Sequence, residues 1–162
     1  MTTTPTRKRL VLMITRTLNA PRDLVFACWT RTEHLARWGG APEGMTAEAE
    51  IKEIRTGGRY KVRLARETGE HFTVQGKYLD VIEPERLVFT HAWLDADGMP
   101  GPEMLVTITF AEEDGRTRMT LRQEGFTSAD SRDGHKLGWS SQLDRFATYV
   151  NALPGQARNN RP

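Results

Sequence analysis

The sequence predicts an α+β domain of the helix-grip kind, in which a curved antiparallel sheet wraps round one long C-terminal helix. Three observations predict it. From Ala47 to Gln123 apolar residues recur with period two, in short runs parted by tight turns, with no helical run between them. Trp139, Leu143, Phe146, Val150 and Leu153 then recur at spacings of four, three, four and three, a single stripe along one helix face. Ahead of the alternating region stand one strand-like segment and two short helical ones.

Taken in order, Lys8 to Leu18 is rich in β-branched and apolar residues and reads as a strand. Pro21 fits the first turn of a helix, where its missing N–H costs nothing, and that helix runs to Trp29 with Val25 and Trp29 on one face. A second helix, Glu33 to Trp38, sets Leu35 and Trp38 on one side and stops at Gly39-Gly40. Ala47, Ala49 and Ile51 alternate with Glu48, Glu50 and Lys52, which share the polar face. After the Gly57-Gly58 turn, Tyr60, Val62 and Leu64 form an apolar face; after Thr68-Gly69, Phe72, Val74, Gly76 and Tyr78 do so. A turn over Glu83–Arg86, with Pro84 second, leads to Leu87, Phe89, His91 and Trp93. The loop Asp95–Pro102 leads to Met104, Val106, Ile108 and Phe110, and the Asp114-Gly115 hairpin to Met119, Leu121 and Gln123. Strands joined this way make an antiparallel meander with one buried face and one wet face. The final helix, of about five turns, is expected to start near Ser131 or Asp133 as cap. Only the concave face of the sheet offers its stripe enough apolar surface. Residues 8–153 are thus read as one domain, with 1–7 and 154–162 as flexible termini.

Bulk properties narrow the function. A chain of 162 residues can bury a core without disulfides, and the lone Cys28 allows no intramolecular one. The net charge of +2, and a densest basic cluster, Arg7-Lys8-Arg9, that lies at a terminus, argue against nucleic acid. Leu10–Ile14 is too short for a signal core, and no run approaches the roughly 18 apolar residues of a membrane span, so the chain reads as soluble and cytoplasmic.

Several stretches carry a resemblance. Ala20-Pro21-Arg22-Asp23-Leu24-Val25-Phe26, Thr32–Trp38, Gly57-Gly58-Arg59-Tyr60, Pro84–Thr90, Thr117–Leu121 with Glu124-Gly125-Phe126, and Gly138-Trp139 with Leu143 occur in an order that resembles the START-like, or Bet v 1-like, superfamily. Within it the chain is similar to bacterial proteins related to the C-terminal domain of the activator of Hsp90 ATPase, over roughly Ile14 to Leu153. The resemblance implies a helix grip with a central cavity. It does not imply one function, since relatives bind lipids and hormones, cyclise or dehydrate polyketide-like substrates, or assist a chaperone. The eukaryotic co-chaperone carries an extra N-terminal domain that helps engage Hsp90. This chain leaves no room for one, so Hsp90 is not expected as a partner.

The expected function is binding of a hydrophobic small molecule between sheet and helix, with no cofactor. The candidate lining on the sheet is Tyr60, Phe72, Tyr78, Phe89, His91 and Trp93, with Met104 and Gln123 further along. Trp38 could cover the mouth, and Trp139, Leu143 and Phe146 would close the cavity from the helix. Each aromatic has a plain alternative as core packing. His91 is either a hydrogen-bonded core histidine or a group that orients ligand, and Gln123, polar on an apolar face, must find a partner. Cys28 reads as a small core residue, since a nucleophile would need an activating base. His34, His71, His91 and His135 lack metal-ligand spacing. No acid–base pair emerges, so an enzyme acting on a polyketide-like substrate, with His91 or Tyr78 as acid or base, stands as the alternative, as does a chaperone-linked interaction role. Homodimerisation through an open sheet edge is left open.

Overall fold

A computed structural model describes residues 10–153. The termini expected to be flexible, 1–7 and 154–162, lie outside the described residues, as do residues 8–9 of the first expected strand. Strand β1 (Val11–Leu18) leads to helices α1 (Arg22–Thr30) and α2 (Thr32–Trp38). Six strands follow: β2 (Met45–Lys52), β3 (Arg59–Arg66), β4 (His71–Ile82), β5 (Arg86–Trp93), β6 (Met104–Glu113) and β7 (Arg116–Glu124). Helix α3 (Ala129–Asn151) ends the fold.

All pairings are antiparallel, in the order β1-β7-β6-β5-β4-β3-β2. The meander of β2 to β7 is therefore extended by β1, which returns along β7. Register aligns the apolar faces: Ile14 lies opposite Leu121, Leu121 opposite Ile108, and Ile108 opposite Leu87. All four are buried, so one row crosses four strands on the side covered by the helices. The stripe of α3 meets that face with Trp139, Leu143, Phe146 and Val150 buried. Burial of such side chains contributes about 1.5–3 kcal/mol each.

The core is dense on one side. Phe26 of α1 meets Phe110 of β6 edge to face at 5.3 Å. Phe146 of α3 packs against Trp29 at 5.1 Å and Trp38 at 4.9 Å. The α3 helix packs most closely on β1, toward one edge of the sheet. The strands β2 to β5 curve away beyond it.

Three local expectations are corrected. Helix α3 begins at Ala129, earlier than expected, because the Ser128 hydroxyl accepts the Ser131 N–H at 3.1 Å and caps it there. Pro21 lies just outside α1, where its carbonyl accepts the N–H groups of Leu24 and Val25, both at 3.1 Å. The turn before β5 closes one residue early, the Glu85 N–H on the Ile82 carbonyl at 2.6 Å, so Pro84 is third and follows a cis peptide. Among the described residues no helix is long and apolar enough to cross a membrane.

Candidate functional site

Between the N-terminal half of α3 and strands β2 to β5 lies a cleft of about 690 Å³. It stays open for a reason visible in the helix. Gly134 and Gly138, one turn apart, face the cleft, and a Cβ added at either would meet nothing within 4 Å. One turn further along, Leu143 and Phe146 project fully buried side chains and close the gap. Bare helix gives the cleft; large side chains give the core.

The inner end is aromatic and holds an unusual histidine. His91 of β5 sits edge-on to Trp93 at 5.3 Å and to His135 of α3 at 5.8 Å, with Trp139 at 6.0 Å. Its Nδ1 is buried and has no hydrogen-bond partner among the described residues. Burial first, and the neighbouring His135 second, push its pKa down from 6.5 to about 3, so the ring is neutral at physiological pH. His135 is fixed differently. Its Nδ1–H donates to the Ser131 carbonyl at 2.7 Å, which leaves Nε2 to accept the Trp93 indole N–H at 2.9 Å. The Trp139 indole N–H donates to the Gln123 Oε1 at 2.7 Å, and the Gln123 amide donates to the Met104 sulfur at 3.3 Å. Two of the tryptophans around His91 are thus held by hydrogen bonds, while the His91 ring makes none among the described residues.

The floor is built from three rings, Tyr60, Tyr78 and Phe89, with centroids 5.5–5.7 Å apart. Tyr60 reaches across β4 to donate its hydroxyl to the Thr90 carbonyl at 2.6 Å. It passes over Gly76, where any Cβ would collide with the Thr90 carbonyl and the Tyr60 ring. Burial pushes both tyrosine pKa values far up, so neither phenol is a ready acid or base.

Lys52 corrects the simple alternation of β2. Ala49 lies opposite Val62 and Ile51 opposite Lys61, so the register slips between them and Lys52 comes opposite Tyr60, an inward-facing residue. A β-bulge re-aims the side chains beyond it. Lys52 therefore lines the cleft instead of joining Glu48 and Glu50 outside. Burial lowers its pKa.

The rim is the α2–β2 loop, clamped from α3. The Arg145 guanidinium donates to the carbonyls of Ala41, Pro42 and Met45 at 3.2–3.3 Å, and the Ser141 hydroxyl accepts the Glu43 N–H at 3.0 Å. Gly39, left-handed at φ 96°, ends α2 where a side chain would strike that guanidinium.

Of the residues singled out in the sequence, Trp38, Tyr60, Phe72, Tyr78, Phe89, His91, Trp93 and Trp139 come together around the cleft. Trp38 does so from a buried position, its indole N–H bonded to the Cys28 carbonyl at 2.9 Å, and not as an exposed cover. Met104, Gln123, Leu143 and Phe146 lie in the packed core beyond the cleft, because there helix and sheet are in contact. Lys52, His135, Gly134 and Gly138 also line the cleft, although none of them stands in the lining expected from the sequence. His135 is signalled by its position one helical turn before Trp139, and the glycines by lying one helical turn from each other ahead of Leu143. Cys28 is fully buried and its pKa is pushed up to about 12 by burial, so it holds a neutral thiol. Among the described residues no three His, Cys, Asp or Glu side chains are placed to hold a metal ion.

Comparison with known proteins agrees with this architecture. No curated protein matches the chain. A Chromobacterium violaceum protein of solved structure is 28% identical, with a TM-score of 0.79, over 88% of this chain and 98% of its own. A Mycobacterium smegmatis protein is 25% identical, with a TM-score of 0.73, over 90% of each chain. A Silicibacter pomeroyi protein at 24% identity, covering 85% of this chain and 95% of its own, shares the fold with a TM-score of 0.78. The sequence pattern of one family covers residues 19–151, from the end of β1 to the last residue of α3. The chain belongs to that family, described as Activator of Hsp90 ATPase homolog 1-like protein, within the START-like, Bet v 1-like superfamily that its sequence resembles.

Proposed function

We propose that the protein binds a small, mainly apolar and planar molecule in the cleft between α3 and strands β2 to β5. One observation carries this reading. His91 is only 6% exposed, lines the cleft, and leaves its Nδ1 without a partner among the described residues. A buried polar atom is costly unless something satisfies it, and a ligand group entering the cleft can help satisfy this ring. The volume of about 690 Å³ falls in the ordinary range for ligand sites, and the aromatic lining suits flat rings. Catalysis is not assigned. A histidine held near pKa 3 is a weak base, and the tyrosines are weak acids. An Hsp90 role rests on the family description alone and is not assigned either. The lone buried Cys28 suits a reducing, cytoplasmic setting.

Titration with N-phenyl-1-naphthylamine, a neutral dye that brightens in apolar surroundings, tests the reading. The protein should bind it at micromolar concentration with one-to-one stoichiometry. Ala47→Trp, which places a bulky ring in the cleft from β2, should weaken binding at least about tenfold, the loss expected when a well-buried aromatic is displaced. Equal binding by the variant would place the dye elsewhere and remove the proposal's support.

A further inference from the structure

We propose that the ligand carries one anionic oxyacid group, and that the Lys52 ammonium binds it at the β2 end of the cleft. The inference rests on the cleft being a ligand site and adds the ligand's charge.

The geometry of β2 points to it. Regular alternation would turn Ile51 inward and leave Lys52 in water; the slip between Ala49 and Ile51 exchanges them. The bulge thus exchanges an apolar group for a cation at the wall of a mainly apolar cleft, an arrangement that stability does not favour. The other charged groups of the lining already have compensation. Arg66 is paired with Glu70 at 3.1 Å and lies over the Phe72 ring at 5.7 Å. Asp130 is in the first turn of α3, where the helix dipole favours a negative charge. The Lys52 ammonium has no ion pair and no hydrogen bond among the described residues.

Its surroundings suit an anion with an aromatic body. Lys52 lies opposite Tyr60 across the β2–β3 pair, and the Tyr78 ring stands 5.5 Å beyond Tyr60. The Tyr60 hydroxyl is committed to the Thr90 carbonyl, whereas that of Tyr78 donates to no described residue and offers a second donor. The lowered pKa of Lys52 has the same origin, a cation drawn out of water without a counter-charge. An entering carboxylate or sulfonate supplies that charge, while its rings extend toward Phe89 and His91. The result is an amphiphilic site, ionic at one end and aromatic at the other.

Two dyes with the same aromatic body separate the charge from the cleft. 1-Anilinonaphthalene-8-sulfonate carries a sulfonate that N-phenyl-1-naphthylamine lacks. The wild-type protein should prefer the sulfonate dye. Lys52→Met, which keeps the apolar stem, should weaken the sulfonate dye by about tenfold or more, the usual worth of a hydrogen bond to a charged group. It should leave the neutral dye within about twofold, which also shows that the variant is folded. Lys52→Arg should restore the preference. Lys61→Met, which removes the neighbouring cation paired with Glu50 at 3.6 Å outside the cleft, should change neither dye. If the neutral dye binds in the cleft but Lys52→Met leaves the sulfonate preference intact, the proposal falls and the cleft reading stands. If the wild-type protein binds neither dye, both fall.

Discussion

At the scale of single residues, His91 gives the sharpest expectation. The unfolded chain takes up a proton near pH 6.5, whereas the native ring, held near 3, does not. Between those values the unfolded state binds more protons, so stability rises with pH through the window and is lost as pH falls. The slope from this one group is at most about 1.4 kcal/mol per pH unit. Urea unfolding at pH 7.5 and 4.5 should therefore show a larger acid loss for the wild-type protein than for His91→Phe. Equal losses would mean that the native ring titrates normally. The period of two in β5 places His91 on the inner face, but no sequence pattern reveals that its Nδ1 lacks a partner among the described residues. Gln123 had the same signal and the opposite outcome, since Trp139 and Met104 satisfy it inside the core. Two polar residues on apolar faces are alike in sequence and differ only in what tertiary packing brings beside them. Lys52 was hidden for another reason: a bulge inverts the parity on which strand reading depends.

At the scale of elements, α3 governs both halves of the molecule. Its stripe from Trp139 to Val150 was legible because helical spacing alone determines which residues share a face. Its start was placed too late, because Ser128, Ser131 and Asp133 are all plausible caps and only backbone geometry selects among them. The glycines before the stripe have a measurable consequence. A glycine in a helix interior costs roughly 0.5–1 kcal/mol relative to alanine. The site of Gly134 has open space for a methyl group. Gly134→Ala should therefore raise stability by about that amount in urea unfolding. It should also narrow the cleft and weaken binding of N-phenyl-1-naphthylamine. A destabilised variant would show that the helix is closer to the sheet there than described. Stability set aside in the wall of a cleft is the pattern expected where openness serves a purpose.

At the scale of the whole molecule, the architecture is one sheet divided between two tasks. Strands β1, β7 and β6 receive the large side chains of α1 and the C-terminal half of α3, and the core is solid there. Strands β2 to β5 curve under the glycine-bearing half of α3, where helix and sheet part. Fold class and strand order were legible from alternation, turn residues and one helical stripe, since these are local signals repeated many times. The division was not, because it depends on where a helix crosses a curved sheet. Residues from both sides were accordingly grouped as one lining, although Leu143 and Phe146 belong to the solid half and Phe89 and His91 to the open one. A crystal structure of the protein with N-phenyl-1-naphthylamine tests this division most directly. The dye should lie between Phe89 and Trp139, with α3 and the core side chains unmoved. Dye found only on the outer surface, with the gap beneath Gly134 and Gly138 filled by side chains, would contradict it.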